Sequence, residues 1–147
     1  MDQPSECAEN GANLDRPEVS VVMCNWRGAA TLAAAIASVL RQSCGNIELI
    51  VSDDASDDDS CEIVRAIARN DPRLRLLTST DNLGAAAARN RALDVARGDW
   101  VAVVDSDDLI HPRRIARMLA AAKAHGVDIV ADDMVPFGAT QGIGGGT

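Results

Sequence analysis

Short runs typical of β-strands alternate with runs typical of helices along this chain, and this alternation limits its fold more than any other feature. Between apolar runs at 19–23 and 47–51, Leu32, Ile36 and Val39 recur at the spacing of one helix face. Further helix-type runs follow at 63–67, at 85–96 and from Pro112 onward, and each is followed by a strand-type run, at 74–77, 100–104 and 127–131. Helices between strands form right-handed crossovers, which produce a parallel sheet with helices on both faces. The pattern predicts an α/β protein, a three-layer sandwich with a mostly parallel sheet.

The length of 147 residues is typical of one domain with one hydrophobic core. Aromatic residues make up only 2% of the chain, so Ala, Val, Leu and Ile must fill that core. Residues 1–18 are polar, and residues 138–147 are rich in glycine with little to bury. We therefore predict a folded domain over residues 19–137, between a polar N-terminal segment and a flexible tail.

Charge and hydropathy argue against two kinds of partner. The formal net charge is -8 with no basic stripe, which argues against nucleic-acid binding, because that depends largely on cations near phosphates. No apolar run approaches the ~20 residues of a membrane span, and the polar first residues do not resemble a secretory signal. The scattered cysteines form no C-x-x-C pair and are typical of reduced thiols (Cys7, Cys24, Cys44 and Cys61). We expect a cytoplasmic protein, with peripheral contact at the inner face of a membrane left open.

The acidic sequence Asp105-Ser106-Asp107-Asp108 directly follows an apolar strand-type run. In open α/β sheets, ligands bind where the parallel strands end. Side chains two residues apart on an extended segment point the same way, so Asp105 and Asp107 can share one ion. Mg²⁺ and Mn²⁺ prefer such ligands, usually one or two carboxylates completed by water and substrate phosphates. The turn predicts a divalent-cation site; the alternative is a group of acids that only stabilise the N-terminus of the next helix.

A second acidic turn, Ser52-Asp53-Asp54-Ala55-Ser56-Asp57, follows the run at 47–51 and allows two interpretations. In the first, Asp53 or Asp54 accepts a hydrogen bond from a nucleobase N–H or a ribose hydroxyl. In the second, Ser56 or Asp57 caps a helix that begins at about Asp58, and the other acids stabilise its positive end. The residues alone do not decide between them.

The segment from Gly84 to Asn90 begins a helix with small side chains, which let a ligand or another backbone come close. Arg89 would bring a positive charge to a diphosphate. The alternative is a tightly packed helix in which Arg89 and Arg91 are solvated. No G-x-G-x-x-G follows the first strand-type run, and neither a P-loop nor a G-x-S-x-G elbow is present, so other common sites find no support.

These segments together resemble a known family. The motifs in question are Cys24-Asn25, the turn at 53–57, the segment 84–90, Gly98-Asp99-Trp100 and the turn at 105–108. Their order and spacing, over about residues 19–135, are similar to the N-terminal half of a family 2 glycosyltransferase with the GT-A fold, of the type that builds bacterial exopolysaccharides. Each motif alone is modest, but the ordered set is specific. The resemblance implies the Rossmann-like nucleotide-binding half of that fold.

The resemblance also implies a reaction and a set of site residues. The reaction is the metal-dependent transfer, with inversion, of a sugar from a nucleoside-diphosphate donor, expected to be a UDP-sugar, to a saccharide or a lipid-linked acceptor. The residues that match the nucleotide and donor site are Asn25, Asp53, Asp54, Arg89, Asp105 and Ser106. Those that match the metal site for Mn²⁺ or Mg²⁺ are Asp105 and Asp107, the D-x-D pair, and Asp108.

One departure from the family pattern leaves other functions open. In the family, the acceptor-binding half and its general base lie after the segment present here, so we expect a donor-binding half, as a truncated product or one piece of a split enzyme. Asp132 and Asp133, after the last strand-type run, would contact the sugar but are not assigned as the base. The alternatives are a non-catalytic nucleotide-binding module that needs a partner chain, and a Mg²⁺-dependent phosphohydrolase with Asp105 as nucleophile.

Overall fold

The structure, a computed structural model, describes residues 15–135. Within this part, four of the five predicted strands alternate with the four predicted helices: β1 (Val19–Asn25), α1 (Leu32–Leu40), β2 (Ile47–Asp53), α2 (Ser60–Ala68), β3 (Leu74–Thr78), α3 (Ala85–Leu93), β4 (Trp100–Val103) and α4 (Arg114–His125). Residues 1–14 and 136–147 lie outside the described residues, so the polar N-terminal segment, the tail and the domain bounds stay predictions. No helix within residues 15–135 has the length and apolar character that crossing a membrane requires.

The strands form one parallel sheet in the order β3-β2-β1-β4. The register aligns Asn25 with Asp53, and Asp53 with Thr78, so β1, β2 and β3 end side by side. β4 pairs Val103 with Val22, and because it is parallel to β1 the chain leaves it toward the same edge. From β1 the chain adds β2 and then β3 on one side of β1, and it then crosses back to add β4 on the other side. The order in which strands are added therefore reverses between β1 and β4.

Helices cover both faces of the sheet, because successive strand residues point to opposite sides. The helices α1, α2 and α4 share one core with alternate residues of β1 and β2, which include Val21, Met23, Leu49, Val51, Leu32, Ile36, Val64, Ile115 and Leu119. On the opposite face α3 packs over β1 and β2, where Val22, Ile50 and Ala92 form a smaller cluster. The predicted α/β three-layer sandwich with a parallel sheet is confirmed.

A buried carboxylate near the amino ends of the strands ties three segments together. Glu48 is fully buried and accepts hydrogen bonds from Ser20 Oγ (2.7 Å), from the backbone N–H of Arg97 (2.8 Å) and from the Arg97 guanidinium (2.9 Å). Next to it, a Cβ on Gly98 would lie 2.5 Å from the backbone nitrogen of Ser20. The segment between α3 and β4 therefore lies directly against β1.

Two predictions about strands are wrong. Residues 127–131 do not form a strand, and Ile129 is 85% exposed, because no described strand pairs with this segment beyond β4. A strand needs a hydrogen-bonding partner, which an apolar run does not by itself supply. The prediction that helices cover both faces of the sheet also fails at β4, where Val101 and Val103 are each 46% exposed, since α3 covers its neighbours β1 and β2.

Several local boundaries also differ from prediction. α3 ends at Leu93 rather than Ala96. At the start of α2, the Asp58 carboxylate accepts the Ser60 N–H (3.0 Å), whereas Ser56 and Asp57 make other contacts. These differences arise because tertiary partners compete with the local capping choices that sequence suggests.

The cysteines differ in state. Cys24 and Cys61 are free thiols, as predicted, but Cys44 is disulfide-bonded, so the prediction of a reduced thiol at Cys44 is wrong. Cys7 lies outside the described residues. Sequence spacing did not reveal the disulfide because a bridge depends on distances in space rather than along the chain.

Candidate functional site

The carboxyl ends of β1, β2 and β4, with the N-terminus of α3, surround a cavity of about 380 Å³, here called the edge cavity. It lies where the chain direction across the sheet reverses, which is the place where open α/β sheets bind ligands. The predicted site residues that line it are Asn25, Asp54, Arg89, Asp105, Ser106 and Asp107. The structure thus brings together residues from turns that are far apart in sequence, while Asp53 and Asp108 lie outside this lining.

Asn25, at the end of β1, is 3% exposed and offers a free acceptor beside the edge cavity. Its Nδ2 donates to Asp53 Oδ2 at 2.8 Å, but its buried Oδ1 has no hydrogen-bond partner within the described residues. Gly28 makes this arrangement possible, because a Cβ at Gly28 would overlap Asn25 Oδ1. A buried polar atom without a partner is uncommon, and it marks a place where a ligand donor would be stabilised.

Asp53 is buried beneath the edge cavity rather than facing it. Its Oδ1 accepts the Ser56 N–H (2.9 Å), and its Oδ2 accepts Ser56 Oγ (2.7 Å) and Asn25 Nδ2 (2.8 Å). These bonds close the turn after β2, where Ala55 adopts a positive φ of 63°. Most of the hydrogen bonds that Asp53 accepts therefore come from its own turn, and the remaining one positions Asn25.

Asp54 joins the end of β2 to the start of α3. Its Oδ2 accepts the backbone N–H groups of Leu83 (3.0 Å) and Gly84 (2.6 Å), and its Oδ1 accepts an Arg91 N–H at 3.3 Å. The backbone N–H of Asp54 also donates to the carbonyl of Asn25 at 2.9 Å. The carboxylate therefore holds the backbone that forms one wall of the edge cavity.

Arg89 projects from α3 into the edge cavity beside the acidic turn. A guanidinium nitrogen lies 3.6 Å from Asp105 Oδ1, and the buried Nε has no hydrogen-bond partner within residues 15–135. An arginine held this way offers an unused donor and a positive charge to an anionic ligand.

The acidic turn after β4 lies between the edge cavity and a second cavity. Asp105 and Asp107 line the edge cavity, and Asp105 also lines a neighbouring cavity of about 570 Å³ together with Asp108. Burial raises the pKa of Asp108, and the charges of Asp107 and Asp105 raise it further. A cation beside these like charges would offset the repulsion between them.

The donor set of this turn fits a hard divalent cation, although not a cation held by protein alone. Within residues 15–135, no three Asp, Glu, His or Cys side chains are grouped closely enough to hold a metal ion by themselves. Mg²⁺ commonly binds through one or two carboxylates and completes its shell with water and substrate phosphates. Asp105 and Asp107 supply such a pair at the wall of a cavity that also contains Arg89.

Asp132, one of the two adjacent acids after the run at 127–131, forms an ion pair with Arg114. The Arg114 guanidinium donates to both of its oxygens, at 2.7 and 2.8 Å, and these bonds hold the pKa of Asp132 below its ordinary value. Asp132 and Asp133 line the neighbouring cavity of about 570 Å³ rather than the edge cavity.

Sequence reasoning did not assign three residues that the structure places at or beside the edge cavity. Trp26 lines it with its side chain half-exposed and the Arg27 guanidinium 5.0 Å from its ring centre, and Asn82 lines it near the start of α3. Arg91 was weighed only as a solvated residue, but it donates to the end of β2. The position of Trp26 directly after β1 was the available signal, whereas the contacts of Arg91 depend on helix rotation.

The chain matches known proteins over most of its described length. The profile of the family described as "Glycosyl transferase family 2" matches residues 20–142. "Succinoglycan biosynthesis protein ExoO" of Rhizobium meliloti (strain 1021) is 41% identical over 118 residues, which cover 80% of this chain and 33% of that protein.

Two solved structures have a similar fold. S. aureus TarS 1-349 in complex with UDP-GlcNAc aligns with a TM-score of 0.69 and 28% identity, covering 74% of this chain and 32% of that chain. The mannosyltransferase PcManGT from Pyrobaculum calidifontis, in complex with GDP-Man and Mn²⁺, aligns with a TM-score of 0.68 and 28% identity, covering 73% and 32%.

The chain spans about a third of the length of these proteins. The resemblance first seen in five short motifs is confirmed by the family profile, by the relative from succinoglycan biosynthesis and by the similarity of the fold to TarS. This chain belongs to glycosyl transferase family 2 and carries part of its GT-A fold.

Proposed function

We propose that this chain binds a nucleoside-diphosphate sugar together with Mn²⁺ or Mg²⁺, as the donor-binding part of a glycosyltransferase. The observation that carries the proposal is that the end of β1, the start of α3 and the acidic turn after β4 line one cavity. The ligand class is supported by TarS, solved with UDP-GlcNAc, and by PcManGT, solved with GDP-Man and Mn²⁺. We take a UDP-sugar as the expected donor.

The nucleoside lies at the ends of β1 and β2 in this proposal. Asn25 Oδ1 accepts a hydrogen bond from the ligand, since it is buried without a partner among the described residues. The half-exposed ring of Trp26 provides an apolar surface next to it. Asp54 shapes the wall opposite through Leu83 and Gly84, and Asp53 acts from below by holding Asn25.

The diphosphate lies between Arg89 and the acidic turn. Arg89 donates from its free Nε, and Asp105 and Asp107 hold the divalent cation. Ser106 lies beside the donor, and Asp108 faces the neighbouring cavity. A bound cation would neutralise the diphosphate and stabilise the negative charge that grows on it as the glycosidic bond breaks. Such an ion is needed here because the protein carries a net charge of -8 and the ligand is anionic.

Transfer to a saccharide or lipid-linked acceptor, with inversion, is proposed for the whole glycosyltransferase. The neighbouring cavity of about 570 Å³ adjoins the acidic turn, so it is the space open to the sugar. Asp133 is not assigned as the general base, because the family resemblance implies that this base lies after the segment present here. Asp132 is not assigned either, because Arg114 holds it as a carboxylate with a lowered pKa. A proton acceptor for the incoming hydroxyl needs a pKa nearer the working pH.

Tryptophan fluorescence tests this proposal, because the chain has two tryptophans and no tyrosine. In a Trp100→Phe variant, the emission comes from Trp26 at the edge cavity. Titration with UDP in the presence of Mg²⁺ should change this emission saturably, and EDTA should abolish most of the change. The matched variant Trp26→Phe, which keeps Trp100 on β4, should show no such signal.

No saturable signal with UDP or GDP, with or without Mg²⁺, would refute the proposal. A second assay measures release of UDP from a UDP-sugar. Binding without release would favour the non-catalytic module. We keep that alternative because the chain spans about a third of its relatives' length. Release of phosphate from an aryl phosphate, lost in Asp105→Asn with UDP affinity intact, would favour the phosphohydrolase instead.

A further inference from the structure

Arg91 lies two residues after Arg89 on α3 but does not line the edge cavity. Its guanidinium donates to Ser52 Oγ at 3.2 Å, to the carbonyl of Asp53 at 3.0 Å and to Asp54 Oδ1 at 3.3 Å. The side chain is 25% exposed. One guanidinium therefore joins α3 to three consecutive residues at the end of β2.

The carboxylate of Asp54 relays this contact to the wall of the edge cavity. The side chain is 3% exposed, and its second oxygen accepts the backbone N–H groups of Leu83 and Gly84. Gly84 lines the edge cavity and has a φ of 89°, which residues with a side chain rarely adopt. The position of this backbone thus depends on one buried carboxylate.

We infer that Arg91 is a positioning residue for nucleotide binding, which acts through Asp54 to fix the backbone at Leu83 and Gly84. This inference rests on the proposed function for its effect on nucleotides, although its structural step does not. A buried carboxylate without its cation is unstable, so Asp54 would turn toward water and release the N–H groups that it holds. Arginine suits the role because its rigid planar fork holds several donors in fixed directions, whereas a lysine ammonium is a compact group on a flexible stem.

The test compares Arg91→Met and Arg91→Lys with Arg73→Met. Arg73 is a matched control, since its side chain is 20% exposed and also bonds a carboxylate, Asp71, and a backbone carbonyl, that of Leu40. Neither Arg73 nor its partners line the edge cavity. Each variant is measured by thermal unfolding, by amide hydrogen exchange and by UDP affinity in the presence of Mg²⁺.

Arg91→Met should speed the exchange of the Leu83 and Gly84 amides and weaken UDP binding by about tenfold, the effect of losing a hydrogen bond to a charged group. Arg91→Lys should restore part of both. Arg73→Met should lower thermal stability while leaving these two amides and UDP affinity unchanged. Equal exchange at Leu83 and Gly84 in Arg91→Met, Arg91→Lys and Arg73→Met would overturn the inference.

The two readouts separate this inference from the proposed function. If the unaltered chain binds no nucleotide, the proposed function fails while the exchange of Leu83 and Gly84 still decides whether Arg91 positions them. If UDP binds and Arg91→Met weakens it no more than Arg73→Met does, the proposed function stands and the role of Arg91 in binding is refuted.

Discussion

Asp53 is the last residue of β2 and Asp107 lies in the acidic turn after β4, but their surroundings differ. Asp53 is 2% exposed and closes its own turn through Ser56 and Asn25, whereas Asp107 is exposed at the wall of the edge cavity. The sequence predicted that both turns would reach one edge of the sheet, because the end of each apolar run marks the end of a strand. It did not predict which acid faces inward, because that depends on the path of the turn and on Ala55 with its positive φ.

This difference predicts that the same Asp→Asn substitution affects stability at one position and ligand binding at the other. Asp53→Asn should destabilise the fold by about 1–3 kcal/mol, since an amide nitrogen cannot accept the bonds from Ser56 or Asn25. Asp107→Asn should leave the free energy of unfolding nearly unchanged but weaken UDP binding in the presence of Mg²⁺. Chemical denaturation and calorimetric titration of both variants check this. A stable Asp53→Asn, or an Asp107→Asn with full cation-dependent affinity, would contradict these roles.

At the scale of secondary-structure elements, alternation was readable from sequence because each helix and strand carries its own apolar period. The helix face that the sequence predicted from Leu32, Ile36 and Val39 lies within α1, and the apolar runs at 19–23 and 47–51 lie within β1 and β2. The strand expected at 127–131 failed because pairing is a property of two segments, and Ile129 finds no partner strand within the described residues. The same limit applies to Glu48, whose partners lie 28 and 49 residues away along the chain.

The close approach of the segment before β4 to β1 predicts a steric effect at Gly98. Gly98→Ala would place a Cβ 2.5 Å from the nitrogen and 2.8 Å from the carbonyl carbon of β1 backbone at Ser20 and Val19. We expect a loss of about 1–3 kcal/mol in the free energy of unfolding, typical of overpacking. Gly45→Ala is the control, because nothing lies within 4 Å of its Cβ, and it should change stability by about 0.5 kcal/mol or less. Equal stabilities in urea denaturation would show that the contact is looser than described.

Glu48 predicts how stability depends on pH. Burial alone raises its pKa, but hydrogen bonds from Arg97, Ser20 and Arg75 outweigh burial, so the pKa of Glu48 lies below its ordinary value. A lowered pKa contributes stability above the unfolded value of about 4.3 and loses it as pH falls through the folded value. Glu48→Gln should therefore be less stable at neutral pH, with a difference from the unaltered chain that shrinks below about pH 4.

Glu62→Gln serves as the control for this measurement. Glu62 forms an exposed ion pair with Arg65, its side chain being 72% exposed, and such pairs contribute about 1 kcal/mol or less. Its stability should stay close to that of the unaltered chain at every pH. A Glu48→Gln difference that stays constant from pH 7 to pH 3 would show that the charge of Glu48 does not stabilise the fold.

At the scale of the whole molecule, the fold brings four separate segments to one end of the sheet. The parallel order β3-β2-β1-β4 places the ends of β1, β2 and β4 next to each other, and α3 begins beside them. This much followed from sequence, because parallel crossovers return every strand in the same direction. How this domain contacts the rest of a glycosyltransferase did not follow from sequence, since the chain spans about a third of its relatives' length.

The most direct measurement is a crystal structure of this chain grown with UDP and Mn²⁺, with anomalous scattering used to locate the manganese. We predict a manganese peak bound by Asp105, Asp107 or both and by the diphosphate, with Arg89 on the same phosphates and the uridine toward Asn25 and Trp26. UDP ordered at another surface, or bound in the edge cavity with manganese away from both carboxylates, would contradict the assignment of this end of the sheet as the donor site.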